Sequence, residues 1–142
     1  MNYQGYARTN YFRVKDAQVF QAWAQNLPGV DLVTQADKAD EVITPDTRFA
    51  LLAAEDSSWP SSRITDKDIE EDVDVINDII PFIADNEVVI FLETGREGMR
   101  YLSGAATAVN SKGEICQVVL NSIYDLAKNL VPDGTEVTRA EY

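Results

Sequence analysis

A chain of 142 residues that is 45% hydrophobic, with two Trp, six Tyr and five Phe, has apolar mass for one folded domain, 1–142, and is no disordered tail. Its 24 acidic against 12 basic residues give a formal charge of −12; that field repels nucleic acid and anionic lipid and attracts basic protein surfaces. A single cysteine, Cys116, excludes an internal disulfide framework, and the absence of histidine removes the commonest general base, the commonest transition-metal ligand and the Ser/His and Cys/His nucleophile pairs.

In chain order, Tyr6 to Val14 alternates, is rich in β-formers and predicts a strand. Asp16 then caps a helix with Val19, Phe20, Trp23 and Leu27 on one face, ended by Pro28-Gly29. Val30 to Thr34 and Arg48 to Ala53 read as strands. The acidic stretch between them (Asp37, Asp40, Glu41, Pro45, Asp46) leaves room for a short strand at Val42-Ile43. Glu55 to Arg63 reads as a polar loop holding Trp59-Pro60, and Thr65 as the cap of an acidic helix that runs to about Ile80, where Pro81 stops it. Glu87 to Glu93, Met99 to Val109 and Ile115 to Leu120 read as a meander of strands. Gly95 to Gly98 and Asn110 to Gly113 are its turns. Asn121 or Ser122 caps a last helix with Ile123, Leu126, Ala127 and Leu130. The expected architecture is α+β: a mainly antiparallel sheet with two or three helices packed on it.

The acidic helix carries the most specific chemistry. Asp66, Glu70, Asp74 and Asp78 recur every four residues, with Glu71 and Asp72 between them, while Ile69, Val73, Ile76 and Ile80 repeat at helical spacing. A helix here puts the carboxylates outward and the four apolar residues inward. Like charges at i,i+4 oppose such a helix by about 1 kcal/mol over three consecutive pairs, so something other than helix stability keeps the pattern. Successive carboxylates would rise about 6 Å along the axis. Phosphates along a nucleic-acid strand are spaced similarly, roughly 6–7 Å. Acidic side chains at that pitch can occupy the Lys and Arg groups with which a DNA- or RNA-binding protein holds phosphates. The expected partner surface is Asp66, Asp68, Glu70, Glu71, Asp74 and Asp78, joined by Glu55 and Asp56 of the preceding loop and by Trp59, which anchors an interface if it is exposed, although a Trp in such a loop more often folds back onto the core. Charge distribution agrees: residues 36–97 hold 17 acidic and five basic residues, and the flanks hold seven of each.

Other chemistries fit less well. Asp66-x-Asp68-x-Glu70 starts like a calcium loop but places Glu71 where Gly is needed and Asn77 where the bidentate Glu is needed. Gly95-Arg96-Glu97-Gly98 lacks the Lys-Ser/Thr ending and following helix of a phosphate loop. Glu93 with Glu97 is a candidate acid pair for glycoside hydrolysis that only geometry can judge. Arg8, Arg13 and Lys15 among Tyr3, Tyr6, Tyr11 and Phe12 are too few basic groups for nucleic-acid binding against −12. Cys116 lacks a His or CxxC partner.

The opening YARTNYFRVKD, the segment EVVIFLETGREGMRYLSGAATAVNSKGE and the closing TRAEY resemble a family of small uncharacterised proteins of bacterial mobile elements, phage and plasmid. The acidic segment lies outside those stretches. By type, the chain also resembles the acidic DNA-mimic inhibitors of restriction and CRISPR systems, which share charge and size more than fold. The first likeness carries no established activity and supports only the genetic setting; the second, with the carboxylate spacing, implies an anti-defence inhibitor whose partner is a CRISPR effector or restriction enzyme. The residues themselves lead to the expectation of a cytoplasmic, non-enzymatic chain without cofactor or metal that contacts neither nucleic acid nor membrane directly: one cysteine, no histidine, no apolar run long enough to span a membrane and a charge of −12. The alternative is an acidic accessory protein of a mobile element or salt-adapted host, with no mimicry. A salt-adapted surface, however, is acidic all round, and this charge is confined to residues 36–97.

Overall fold

Six strands form one antiparallel sheet in the order Val30–Thr34, Phe49–Ala53, Tyr3–Thr9, Val88–Glu97, Tyr101–Asn110 and Ile115–Val119, and a separate hairpin of two short strands carries the acidic segment. The computed structural model describes residues 3–35, 42–54, 59–97 and 101–140. Its elements are β1 (Tyr3–Thr9), α1 (Ala17–Gln25), β2 (Val30–Thr34), β3 (Phe49–Ala53), β4 (Ser62–Ile64), β5 (Glu70–Asp72), α2 (Val75–Asp78), β6 (Val88–Glu97), β7 (Tyr101–Asn110), β8 (Ile115–Val119) and α3 (Ser122–Ala127). The α+β class with a mainly antiparallel sheet is as the sequence implies.

One face of the sheet carries the core. Asp16 starts α1 as its N-cap, accepting from the Gln18 and Val19 amides at 3.0 and 3.2 Å, and Gly29, at φ +69°, supplies the left-handed turn into β2. The helix buries Phe20 and Ala24, with Leu27 just beyond its end, whereas Val19, expected on the same face, points to solvent. Phe20 packs edge-on against Phe12 at 5.6 Å and tilted against Phe49 at 5.5 Å, and Trp23 stacks on Phe82 at 5.0 Å. Each fully buried Phe contributes about 1.5–3 kcal/mol of apolar burial.

The first strand is shorter than its alternation suggests. Arg8 pairs with Leu52, but Phe12 bridges Phe49, so the register slips by one residue in between. Side chains stitch the slip: the buried Thr9 hydroxyl accepts from Leu51 N at 2.9 Å, and Asn10 exchanges two bonds with the backbone of Val88 and Ile90. Past the slip, Arg13 donates to Glu87 at 2.6 Å, which anchors the chain before α1 to the start of β6.

The long acidic helix does not form. Thr65 to Ile69 is instead the turn of the β4–β5 hairpin, Asp68 takes a left-handed conformation at φ +58°, and the helix is a single turn, α2, capped by Asp74. Three causes act together. Repulsion along the carboxylate ladder disfavours the helix. Arg63 faces Glu71 across the hairpin and pairs with it at 2.9 Å. Asp74 bonds the Asn77 amide more readily as a cap than from a helix interior. Ile69, expected inside, is 56% exposed, while Val73, Ile76 and Ile80 are half-buried against the core.

Further differences are local. Val42 and Ile43 form no strand, and Val42 is exposed. Gly95, Arg96 and Glu97 continue β6 rather than turning, paired with Ser103, Leu102 and Tyr101. The turn that follows lies outside the described residues. The second turn of the meander is as expected: Gly113, at φ +81°, donates to the Asn110 carbonyl, and the Asn110 side chain accepts from the Lys112 and Glu114 amides. The last helix, α3, buries none of its residues, so Ile123 and Leu126 stay exposed.

Candidate functional site

The acidic surface is built on the β4–β5 hairpin and the first turn of α2. Ser62, Arg63 and Ile64 pair with Asp72, Glu71 and Glu70, and the Thr65 hydroxyl accepts from the Ile69 amide at 3.3 Å to close the turn. Asp66, Asp68, Glu70, Glu71, Asp72, Asp74 and Asp78 are all exposed. Alternation along a strand puts Glu70 and Asp72 on one side, about 7 Å apart, and Glu71 on the other. Between Glu70 and Asp72 a spacing close to the one the sequence placed on a helix axis is therefore supplied by a strand, while Asp66 and Asp68 lie in the turn and Asp74 and Asp78 at α2.

These carboxylates differ in how free they are. Glu71 is held by Arg63, whose Nε and Nη2 both donate to Glu71 Oε2 at 3.0 and 2.9 Å. Asp74 accepts from Asn77 N and from Asn77 Nδ2, and Asp78 accepts from Asp74 N at 3.0 Å, so both are tied into the start of α2. Asp66, Asp68, Glu70 and Asp72 take part in no ion pair among the described residues. Ile64 and Ile69, both exposed, stand beside them at the hairpin's end. Sequence reading missed both residues, because helical spacing assigns Ile69 to the core, and Ile64, between the loop ending at Arg63 and the cap Thr65, receives no role.

The other expected members are elsewhere. Trp59 folds inward: it meets Phe91 edge-on at 5.3 Å, is half-buried against the core, and its indole N–H is buried without a hydrogen-bond partner among the described residues. It contributes packing rather than an exposed anchor. Glu55 and Asp56 lie outside the described residues.

The rival chemistries can be placed as well. Glu93 and Glu97 are four residues apart on β6, about 13–14 Å along the strand. Glycosidase carboxylates stand roughly 5–9.5 Å apart. Glu93 is half-buried beside a shallow depression with Ser103, Ala105 and Asn121. Among the described residues no three His, Cys, Asp or Glu side chains gather as a metal-ligand set. Cys116 is exposed on β8. Of the basic residues near the start, Arg13 is committed to structure: Glu87 accepts from it and its charge, followed by that of Asp46 at 3.6 Å, raises the guanidinium above its ordinary pKa. No described helix is long and apolar enough to cross a membrane. No family model, curated protein or solved structure matches the chain.

Proposed function

We infer that this protein is an acidic anti-defence inhibitor that binds the basic nucleic-acid-binding surface of a host complex, a CRISPR effector or a restriction enzyme, by presenting carboxylates in place of phosphates. The observation that carries this reading is the exposed carboxylate row of the β4–β5 hairpin. Seven acidic side chains between Asp66 and Asp78 face solvent, and only Glu71 among them is neutralised by a described basic partner. Holding carboxylates apart on a folded hairpin lowers the ordering cost of meeting a basic groove. Coulomb attraction between such surfaces speeds association and confers salt dependence. Ile64 and Ile69 add apolar contact next to the charges, which favours a protein surface over a free cation. The charge is also local: the outer face of β6, β7 and β8 bears no carboxylate between Val88 and Leu92, Leu102 and Ala108, or Cys116 and Leu120, unlike a uniformly salt-adapted surface.

The test is capture from bacterial lysate at low salt on the immobilised full chain, followed by elution with duplex DNA. The reading expects a CRISPR effector or restriction complex that leaves the column with DNA and that the Asp66→Lys, Glu70→Lys, Asp72→Lys variant fails to retain. Retention by the variant, or a partner that DNA does not displace, would overturn it.

A further inference from the structure

Alternation along β6 sends Val89 and Phe91 into the core and puts a carboxylate, Glu93, next on the same side of the sheet. The register Ala7↔Glu93↔Ala105↔Val119 sets an alanine on either side of it. Beside these short side chains lies a depression of about 360 Å³, whose lining includes Glu93, Ser103, Ala105, Val119 and Asn121. Its polar groups are not used up by the fold. Glu93 is half-buried and takes part in no ion pair among the described residues. The Ser103 hydroxyl donates its proton to the Gly95 carbonyl at 3.3 Å, which leaves its oxygen able to accept. Asn121 stands at the N-cap position of α3, yet its side chain makes no capping bond.

We propose that this depression binds a primary ammonium group on an aliphatic stem, the chemistry shared by a lysine side chain and a free alkylamine. An ammonium carries three donors and no acceptor. The Glu93 carboxylate, the Ser103 hydroxyl and the Asn121 amide oxygen supply three acceptors around one depression. Ser103 is the diagonal cross-strand neighbour of Glu93, a separation that a long side chain spans. Ala105 and Val119 give the methylene stem an apolar surface, on which such side chains lie while the charged head stays near water. Other ligands fit less well. An anion meets the Glu93 charge, and a wholly apolar molecule would desolvate that carboxylate without pairing it. A guanidinium is best matched by the two oxygens of one carboxylate in a planar fork, whereas these acceptors come from three separate side chains. The volume lies within the range of small-ligand sites, and a formal charge of −12 raises the local concentration of cations. This inference does not rest on the inhibitor reading, since no residue of the β4–β5 hairpin lines the depression.

Titration of the full chain with n-butylammonium at fixed ionic strength, followed through assigned backbone amide chemical shifts, tests it. Saturable shifts are expected at Ser103, Ala105, Val119 and Asn121, and tetramethylammonium, which has the same charge but no N–H donor, should leave those amides in place. Glu93→Gln should weaken butylammonium binding by about tenfold, the loss of one charge-assisted hydrogen bond. Glu136→Gln, which removes an exposed carboxylate outside the depression, should not change it. A blocked Gly-Lys-Gly tripeptide separates the two sources: shifts at the same amides with equal or higher affinity assign the site to a lysine of a protein, and binding of butylammonium alone assigns it to a free alkylamine. Equal shifts with tetramethylammonium, shifts confined to the acidic hairpin, or undiminished affinity in folded Glu93→Gln would overturn the proposal. If that variant does not fold, the comparison of the two cations on the wild-type chain decides.

Discussion

The β4–β5 hairpin and the outer face of β6–β8 are both exposed, yet they expose opposite chemistry. The hairpin region carries carboxylates at Asp66, Asp68, Glu70, Glu71 and Asp72, and its sides are open to solvent. The sheet face presents Ile90, Leu92 and Val118 with no charged residue between them. The two regions thus separate charge from apolar surface, and a basic partner of the kind proposed would find its counter-charges on the hairpin.

That contrast can be broken or sharpened by substitution. The largest effect on stability should come from Trp59, which belongs to neither surface. Trp59→Ala is expected to lose about 3 kcal/mol in denaturant unfolding by removing the contact with Phe91. Trp59→Phe should cost much less, because it also removes a buried indole donor without a described partner. An unchanged midpoint with weakened partner binding would return Trp59 to the interface.

Next in size is the hairpin itself. Reversing Asp66, Glu70 and Asp72 to Lys should weaken partner affinity on the order of a hundredfold, at about 1 kcal/mol per exposed charge, and leave the melting temperature nearly unchanged. Titration calorimetry on the captured partner measures the first and a thermal scan the second. Asp74 should behave differently despite its equal charge. Asp74→Ala removes the cap on Asn77 N and should cost about 1 kcal/mol of stability in chemical unfolding. The smallest effect is expected for Glu71→Gln, which breaks the exposed pair with Arg63 and should change stability by less than about 0.5 kcal/mol in the same assay.

The strands of the meander were legible in the sequence because Val88 to Leu92 is an unbroken apolar run and Ile115 to Leu120 is rich in Ile, Val and Leu, and turn residues such as Asn110 and Gly113 precede the second. The first helix was legible because Asp16 and Pro28-Gly29 mark both of its ends. The acidic segment was not, and the reason is arithmetic: a spacing of four residues returns to the same side in a strand as well as nearly so in a helix. Glu70, Asp74 and Asp78 therefore fit either pattern. Local forces settled the matter, namely repulsion within the ladder, the Arg63–Glu71 cross-strand pair and the left-handed turn at Asp68. The carboxylates of the site could thus be named from the sequence, but not the strand that spaces them. Ile64 and Ile69 could not be named, because their exposure follows from the hairpin alone.

The central claim is that the hairpin stands in for nucleic acid, and competition tests it most directly. With the captured complex immobilised, duplex DNA and this protein should exclude each other in a binding titration, and raising salt should weaken both in parallel. The Asp66→Lys, Glu70→Lys, Asp72→Lys variant should lose the competition. Simultaneous binding of the protein and DNA, or full competition by the variant, would contradict the account.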